Sequence, residues 1–336
     1  MRPLLKYLFL IVPLFLGSNV AEAQREVPVR VAEGLLRADS SLRRLWPGFW
    51  TEGPLVALYP AKGKTLVVHG PEVRLASVIE ELRDAIPESL EGRATFVSDP
   101  GPPASYDLFA EIGGKAMVSV RVFGTFAPFR QHSEVVPWTG DSVATMIVTA
   151  VHESFHLYQW REFSPSPGQP MPFANTMPVK RHQSWLDSSW VQEALRRERT
   201  SLSRALRHTR CNHVQEELNH YTKQRDDRLF KMPSPFAAYE NAHERAEGLA
   251  NWIGYVGLSR VAPDMLSDAD VMLQHDLANS YLGESGRPYT GWSSFATYHL
   301  YVVGAAKASL LSRCGPADWQ RRVQAGESLQ QVLLPR

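Results

Sequence analysis

Cysteine is nearly absent from this chain. Cys211 and Cys314 are the only two in 336 residues, and neither sits in a CxxC pair. Cysteine-based zinc sites and CxxC redox chemistry are therefore excluded. Whether the two thiols form one disulfide between distant segments or stay unpaired in the interior is left open by the sequence. An excess of charge of one sign is also missing. Lys and Arg number 36 against 35 Asp and Glu, a formal net charge of +1, so nothing argues for nucleic acid as a partner. Repeats and low-complexity tracts are absent, which excludes solenoids and arrays. No stretch beyond the first residues has the length and apolarity of a membrane helix.

The first residues carry the one apolar run. Arg2 and Lys6 precede Leu8 to Leu16, and Ala21-Glu22-Ala23 fits a small-x-small cleavage pattern. Residues 1–23 thus read as a secretory signal peptide cut before Gln24. The expected product is exported, periplasmic or secreted, with no stable membrane insertion after cleavage. Its length allows one large domain or two closely packed ones.

Residues 24–138 read as an N-terminal α+β region with an edge strand. An entry helix over 31–50 ends at Trp46-Pro47-Gly48-Phe49-Trp50, where the aromatics should pack. Strands follow at Leu55–Tyr59, Thr65–Val68, Ala94–Val97, Asp107–Ile112 and Lys115–Phe123. Gly113-Gly114 marks a tight hairpin, and Leu75–Ala85 an inserted amphipathic helix. Residues 139–336 read as mostly helical. A helix capped by Asp141 or Ser142 carries a stripe of Val143, Met146, Ile147, Ala150, Val151 and Ser154, and ends around Trp160 to Phe163. A proline-rich irregular stretch covers 164–189. Charged helices over 189–230 read as a solvated face. Further helical blocks fall at 239–256, 293–311 and 319–334.

His152-Glu153-Ser154-Phe155-His156 reads H-E-x-x-H on that helix. Residues four apart differ by about 40° around a helix axis, so two imidazoles on one face can grip one Zn²⁺. Glu153 stands where a carboxylate can take a proton from an activated water. Catalytic zinc usually has a third protein ligand. Position 162, six past the second histidine, is Glu162, and no Glu occurs over 176–180. Farther on, Glu240, Glu244, Glu247 and Asn251 fall in one narrow helical strip beside Ala246, Gly248 and Ala250. A glycine inside a helix costs about 1 kcal/mol relative to alanine. Gly248 makes sense if a metal or a neighbouring helix approaches the backbone there, and otherwise the strip is a solvated acidic face.

H-E-x-x-H followed by E-x-x-E-G-x-A (Glu244 to Ala250) resembles the zincin-like metallopeptidases of the gluzincin type. His152 to Gln159, HESFHLYQ, is similar to the HExFHxxQ form of several exported bacterial members, and some similarity extends over Tyr301 to Leu311. The resemblance covers these short motifs and not the whole chain. It implies an α+β, zincin-like fold: an N-terminal mixed β-sheet region, an active-site helix and a mostly helical C-terminal region. It implies one Zn²⁺ per chain held by His152, His156 and Glu247, with Glu153 as general base and a peptide or protein as substrate. The separation of His156 and Glu247 is longer than in compact gluzincins. Glu244 is the alternative third ligand, and whichever Glu is off the metal could orient His152 or His156. His243 points off the strip. Tyr255, Tyr298 and His299 are candidates for stabilising an oxyanion, and Lys115–Phe123 is expected to be the substrate-pairing edge strand. The alternatives are a non-catalytic zincin-fold binding protein of the cell envelope and a chance motif in a helical binding protein.

Overall fold

The computed structural model describes residues 12–60, 65–70, 88–97, 109–112, 115–122, 142–163, 184–261, 263, 269–279 and 299–334. The expected helix at 75–85, the Gly113-Gly114 pair, Asp141, most of the proline-rich stretch and Tyr298 lie outside them.

Helix α1 spans Val12–Leu42 and runs through Pro28. It is longer than the expected entry helix and begins inside the segment read as a leader. Val31, Ala32, Leu35, Ala38 and Leu42 are buried, the spacing of one helical face. Trp46, Phe49 and Trp50 follow and are also buried, as expected.

The strands are β1 (Leu55–Pro60), β2 (Thr65–His69), β3 (Ala94–Val97), β4 (Phe109–Ile112) and β5 (Lys115–Val122). They form one mixed sheet in the order β3-β2-β1-β5-β4. Neighbours are antiparallel except β1 and β5, which run parallel from Val56↔Val118 to Pro60↔Val122. Strands β4 and β5 pair from Phe109↔Val118 to Ile112↔Lys115. The order corrects one expectation. Strand β5 lies inside the sheet with both edges paired, and among the described strands β3 and β4 are outermost. A local pattern marks a strand, but which strand is outermost depends on pairings distant in sequence.

Helix α2 (Ser142–Glu162) packs on β5 and β1. Its stripe is buried from Val143 to Val151. Ser154 is only half-buried, and its hydroxyl donates to the carbonyl of Ala150. Phe155 takes the core position instead, edge-on to Trp46 and Phe49 at 5.4 and 5.1 Å. Helices α3 (Ser189–Arg207) and α4 (Cys211–Lys231) form an antiparallel pair. Helix α5 (Pro235–His243) starts with proline at its first position, where the missing N–H costs nothing. A π-turn, Glu244–Gly248, joins it to α6 (Leu249–Val261). Helix α7 (Ala269–Asn279) is one the sequence reading missed. Helices α8 (Tyr301–Cys314), α9 (Trp319–Gln324) and α10 (Leu329–Leu333) complete the chain.

One continuous apolar core runs from Val31 to Leu333 through sheet and helices. Cys211 and Cys314 form a disulfide between the start of α4 and the end of α8, which settles the pairing. The π-turn and α8 touch backbone to backbone. A Cβ on Gly248 would lie 2.4 Å from the Cα of Gly304, and a Cβ on Gly304 would lie 2.6 Å from the carbonyl oxygen of Glu244. A neighbouring helix is therefore what the glycine after Glu247 admits.

Candidate metal centre

The histidine pair needs a rigid helix with one side free for a partner, and α2 supplies it. Its far side is wedged into the aromatic core. Its near side faces the π-turn. His152 Nε2 and His156 Nε2 lie 2.9 Å apart. Glu247 Oε2 lies 3.0 Å from His156 Nε2 and 3.5 Å from His152 Nε2. The three donor atoms thus converge, and within the described residues they are the one group of His, Cys, Asp or Glu able to hold a metal ion. The circle through donors with these separations has a radius of about 1.8 Å, less than the ~2.0–2.2 Å bonds zinc makes to nitrogen and oxygen. A point above their plane is then at bonding distance from all three. The residues fit a zinc ion.

The chemistry around the triangle fits as well. Glu153 is buried at 7% exposure, and its Oε2 has no hydrogen-bond partner among the described residues. A buried carboxylate oxygen left bare costs free energy, so a water or another hydrogen-bond donor is its natural partner. Burial pushes the Glu153 carboxyl up in pKa, against the pull of both imidazoles. His156 is pushed up to about 9: burial works against its charged form, but the Glu247 carboxylate outweighs it. Glu247 is held well below the usual carboxylate range, because the two imidazoles outweigh its burial. The pocket thus favours positive charge among these three groups. The side chains of His156 and Glu247 keep 13% and 18% exposure, so the group opens to solvent on that side.

Two residues beside the triangle were given no role from sequence. Gln159 is fully buried, accepts from His156 Nδ1 at 2.9 Å, and donates to the carbonyls of Arg245 and Ala246. It is the last letter of HESFHLYQ, so the motif contained the signal. Tyr301 is pushed well up in pKa by burial and by the nearby Glu247 carboxylate, and its ring stacks on His152 at 5.8 Å. It lies one helical turn before Gly304, so the close crossing of helices is what delivers it.

A second buried cluster adjoins the first. Arg228 makes a two-pronged contact to Glu198 at 2.6 and 2.9 Å and another to Glu240 at 2.6 and 3.0 Å. Arg225 reaches Glu240 at 3.1 Å and Glu244 at 3.4 Å. Lys307 donates to Glu244 at 2.6 Å and lies over the Tyr221 ring. All six ion-paired side chains are at most 3% exposed. Two expectations are corrected here. The charges of α3 and α4 are not all on a solvated face, because Glu198, Arg225 and Arg228 pair inside the bundle. Glu244 is not a donor of the triangle, because Lys307 and Arg225 hold it. The physical reason is the π-turn. Its wider turn takes Glu247 off the strip shared with Glu240 and Glu244 and points it at the imidazoles.

Of the oxyanion candidates, Tyr298 lies outside the described residues, and neither Tyr255 nor His299 is among the groups seen at the donors. The Tyr255 hydroxyl donates to Asp276. His299 is buried, held neutral by burial and by the nearby Arg199, Arg228, Lys307 and Arg225. His243 stacks on Tyr239 at 5.2 Å rather than joining the donors. No helix of the described residues is long and apolar enough to cross a membrane. Set against family models, curated proteins and solved structures, the chain matches none of them.

Proposed function

We propose that the protein is an exported zinc-dependent metallopeptidase of zincin-like type. The observation that carries this is the convergence of His152, His156 and Glu247 beside the bare, buried carboxylate of Glu153. His152, His156 and Glu247 would hold one Zn²⁺. When bound, zinc supplies Lewis acidity toward a water and a substrate carbonyl. Glu153 takes the proton that the attacking water loses and returns it to the leaving amine. Its Oε2 has no competing partner, so it is free for that transfer. Tyr301, stacked on His152 and close to the Glu247 carboxylate, lines the site beside the donors. The disulfide and the leader-like first residues support export, since such bonds persist in oxidising compartments. Strand β4, an edge of the sheet, is where an extended peptide would pair by strand addition.

The test is direct. Elemental analysis of purified protein is expected to give one zinc per chain, falling well below one in His156→Ala and in Glu247→Ala. Hydrolysis of a mixed peptide library should stop on chelation and return with Zn²⁺. A parent that is zinc-loaded yet inert toward every peptide would favour the non-catalytic binding protein.

A further inference from the structure

We propose that Gln159 is a positioning residue: it sets the tautomer of His156 and ties that imidazole to the turn carrying Glu247. The proposal rests on the zinc reading above. The geometry is decided by the atoms with least choice. The carbonyl oxygens of Arg245 and Ala246 can only accept hydrogen bonds. They lie 3.2 and 3.1 Å from the side-chain nitrogen of Gln159. The amide NH₂ must face them, because the flipped amide would set an oxygen against two carbonyls. Oε1 is then left facing His156 Nδ1 at 2.9 Å. An amide oxygen also only accepts, so Nδ1 carries the proton.

With Nδ1 protonated, the lone pair of a neutral His156 is on Nε2. That lone pair faces the Glu247 carboxylate at 3.0 Å and His152 Nε2 at 2.9 Å. Acceptors so close need a proton or a metal ion between them, and a metal ion there takes the Nε2 lone pair as its ligand. The backbone of the π-turn thus dictates the amide, the amide dictates the imidazole, and the imidazole presents a ligand atom. The same side chain registers α2 against the turn, so donors 91 positions apart in sequence share one strut. At 0% exposure, Gln159 has no water to replace these bonds.

The experiment compares zinc affinity, by competition with a chromophoric chelator, in the parent, Gln159→Met and Gln159→Glu. Methionine keeps the volume and removes all three bonds. Glutamate keeps an acceptor for His156 but turns an oxygen on the two carbonyls. Gln159→Met is expected to bind zinc about 10–100-fold more weakly, the usual loss when a partner of a ligating histidine is removed. The visible bands of its Co²⁺ form should shift, which general loosening elsewhere would not cause. Gln159→Glu should also bind more weakly than the parent. Parent-like affinity in a folded Gln159→Met, or in Gln159→Glu, overturns the two-sided strut. Should the variants not fold, long-range ¹H–¹⁵N spectra of the zinc-loaded parent decide: His156 must carry its proton on Nδ1, and a proton on Nε2 overturns the proposal. A parent that binds no zinc at all sinks the zinc reading itself, an outcome distinct from both.

Discussion

Glu244 and Glu247 lie in the same five-residue turn and meet opposite surroundings. Glu244 faces Lys307 and Arg225 and belongs to a cluster in which Glu198, Glu240 and Glu244 are matched by Arg225, Arg228 and Lys307. Glu247 faces two imidazole nitrogens, and beside it Glu153 has a bare oxygen. Both clusters are buried and polar, and both draw on the turn before α6. The first supplies its own cations and is complete. Burial pushes Glu240 up in pKa, but Arg228 and Arg225 outweigh it and hold the carboxyl below its ordinary value. The second meets its carboxylate with two imidazoles in place of guanidinium or ammonium groups, and leaves a neighbouring carboxylate oxygen without a partner among the described residues. The balance of donors and acceptors, rather than burial or charge density, is what separates the two clusters.

Four substitutions test these assignments. The largest effect should come from Glu153→Gln. Removing the proton acceptor is expected to cut peptide turnover by about 10²–10⁴-fold, while elemental analysis still finds zinc. Unchanged turnover would remove the base role. Next, Arg228→Met breaks the complete cluster and leaves Glu198 and Glu240 underpartnered. Stability to urea should fall by about 3–5 kcal/mol, with zinc content of the folded fraction unchanged. A neutral result would mean the cluster is not the closed unit described here.

Third, Asp276 is a largely buried carboxylate with Tyr255 and His275 beside it and no Arg or Lys pairing with it among the described residues. Burial pushes it up from 3.8 to about 6. A carboxyl raised on folding contributes stability below its unfolded pKa and loses it as pH rises through the folded one. The advantage of Asp276→Asn over the parent should therefore grow between pH 4 and pH 7, by up to about 3 kcal/mol for the shift from 3.8 to about 6. Urea titrations at several pH values would check it. Last, Gly304→Ala forces a methyl into the backbone of the turn. A loss of about 1–3 kcal/mol is expected, with weaker zinc binding alongside, because Tyr301 and Lys307 flank that contact. Loss of one property without the other would uncouple the clusters.

Much of the candidate site was legible in the chain, for physical reasons that also mark the limits. His152 and His156 lie four apart on a regular helix, so spacing alone predicts a common face, with Glu153 next to the first. The strands show themselves by alternation and by β-branched residues, and all five are found. Gly248 announced a close approach because a glycine mid-helix needs a reason. The π-turn was not legible: a constant 3.6-residue period puts Glu240, Glu244 and Glu247 together, and no local pattern says where a turn widens. Arg225 and Arg228 read as solvated because their partners lie on other helices. The inner position of β5 and the place of Tyr301 at the donors are likewise products of tertiary pairing.

The bridge between Cys211 and Cys314 spans 103 positions. Glu247, Gly304 and Tyr301 lie within the covalent ring it closes, while His152, Glu153 and His156 lie outside. A chain whose ring has formed but has not docked on α2 holds its imidazoles and its third carboxylate as separate pieces. Docking of the ring on α2 is then the step that brings Glu247 to the two imidazoles, so the triangle is assembled only as folding ends.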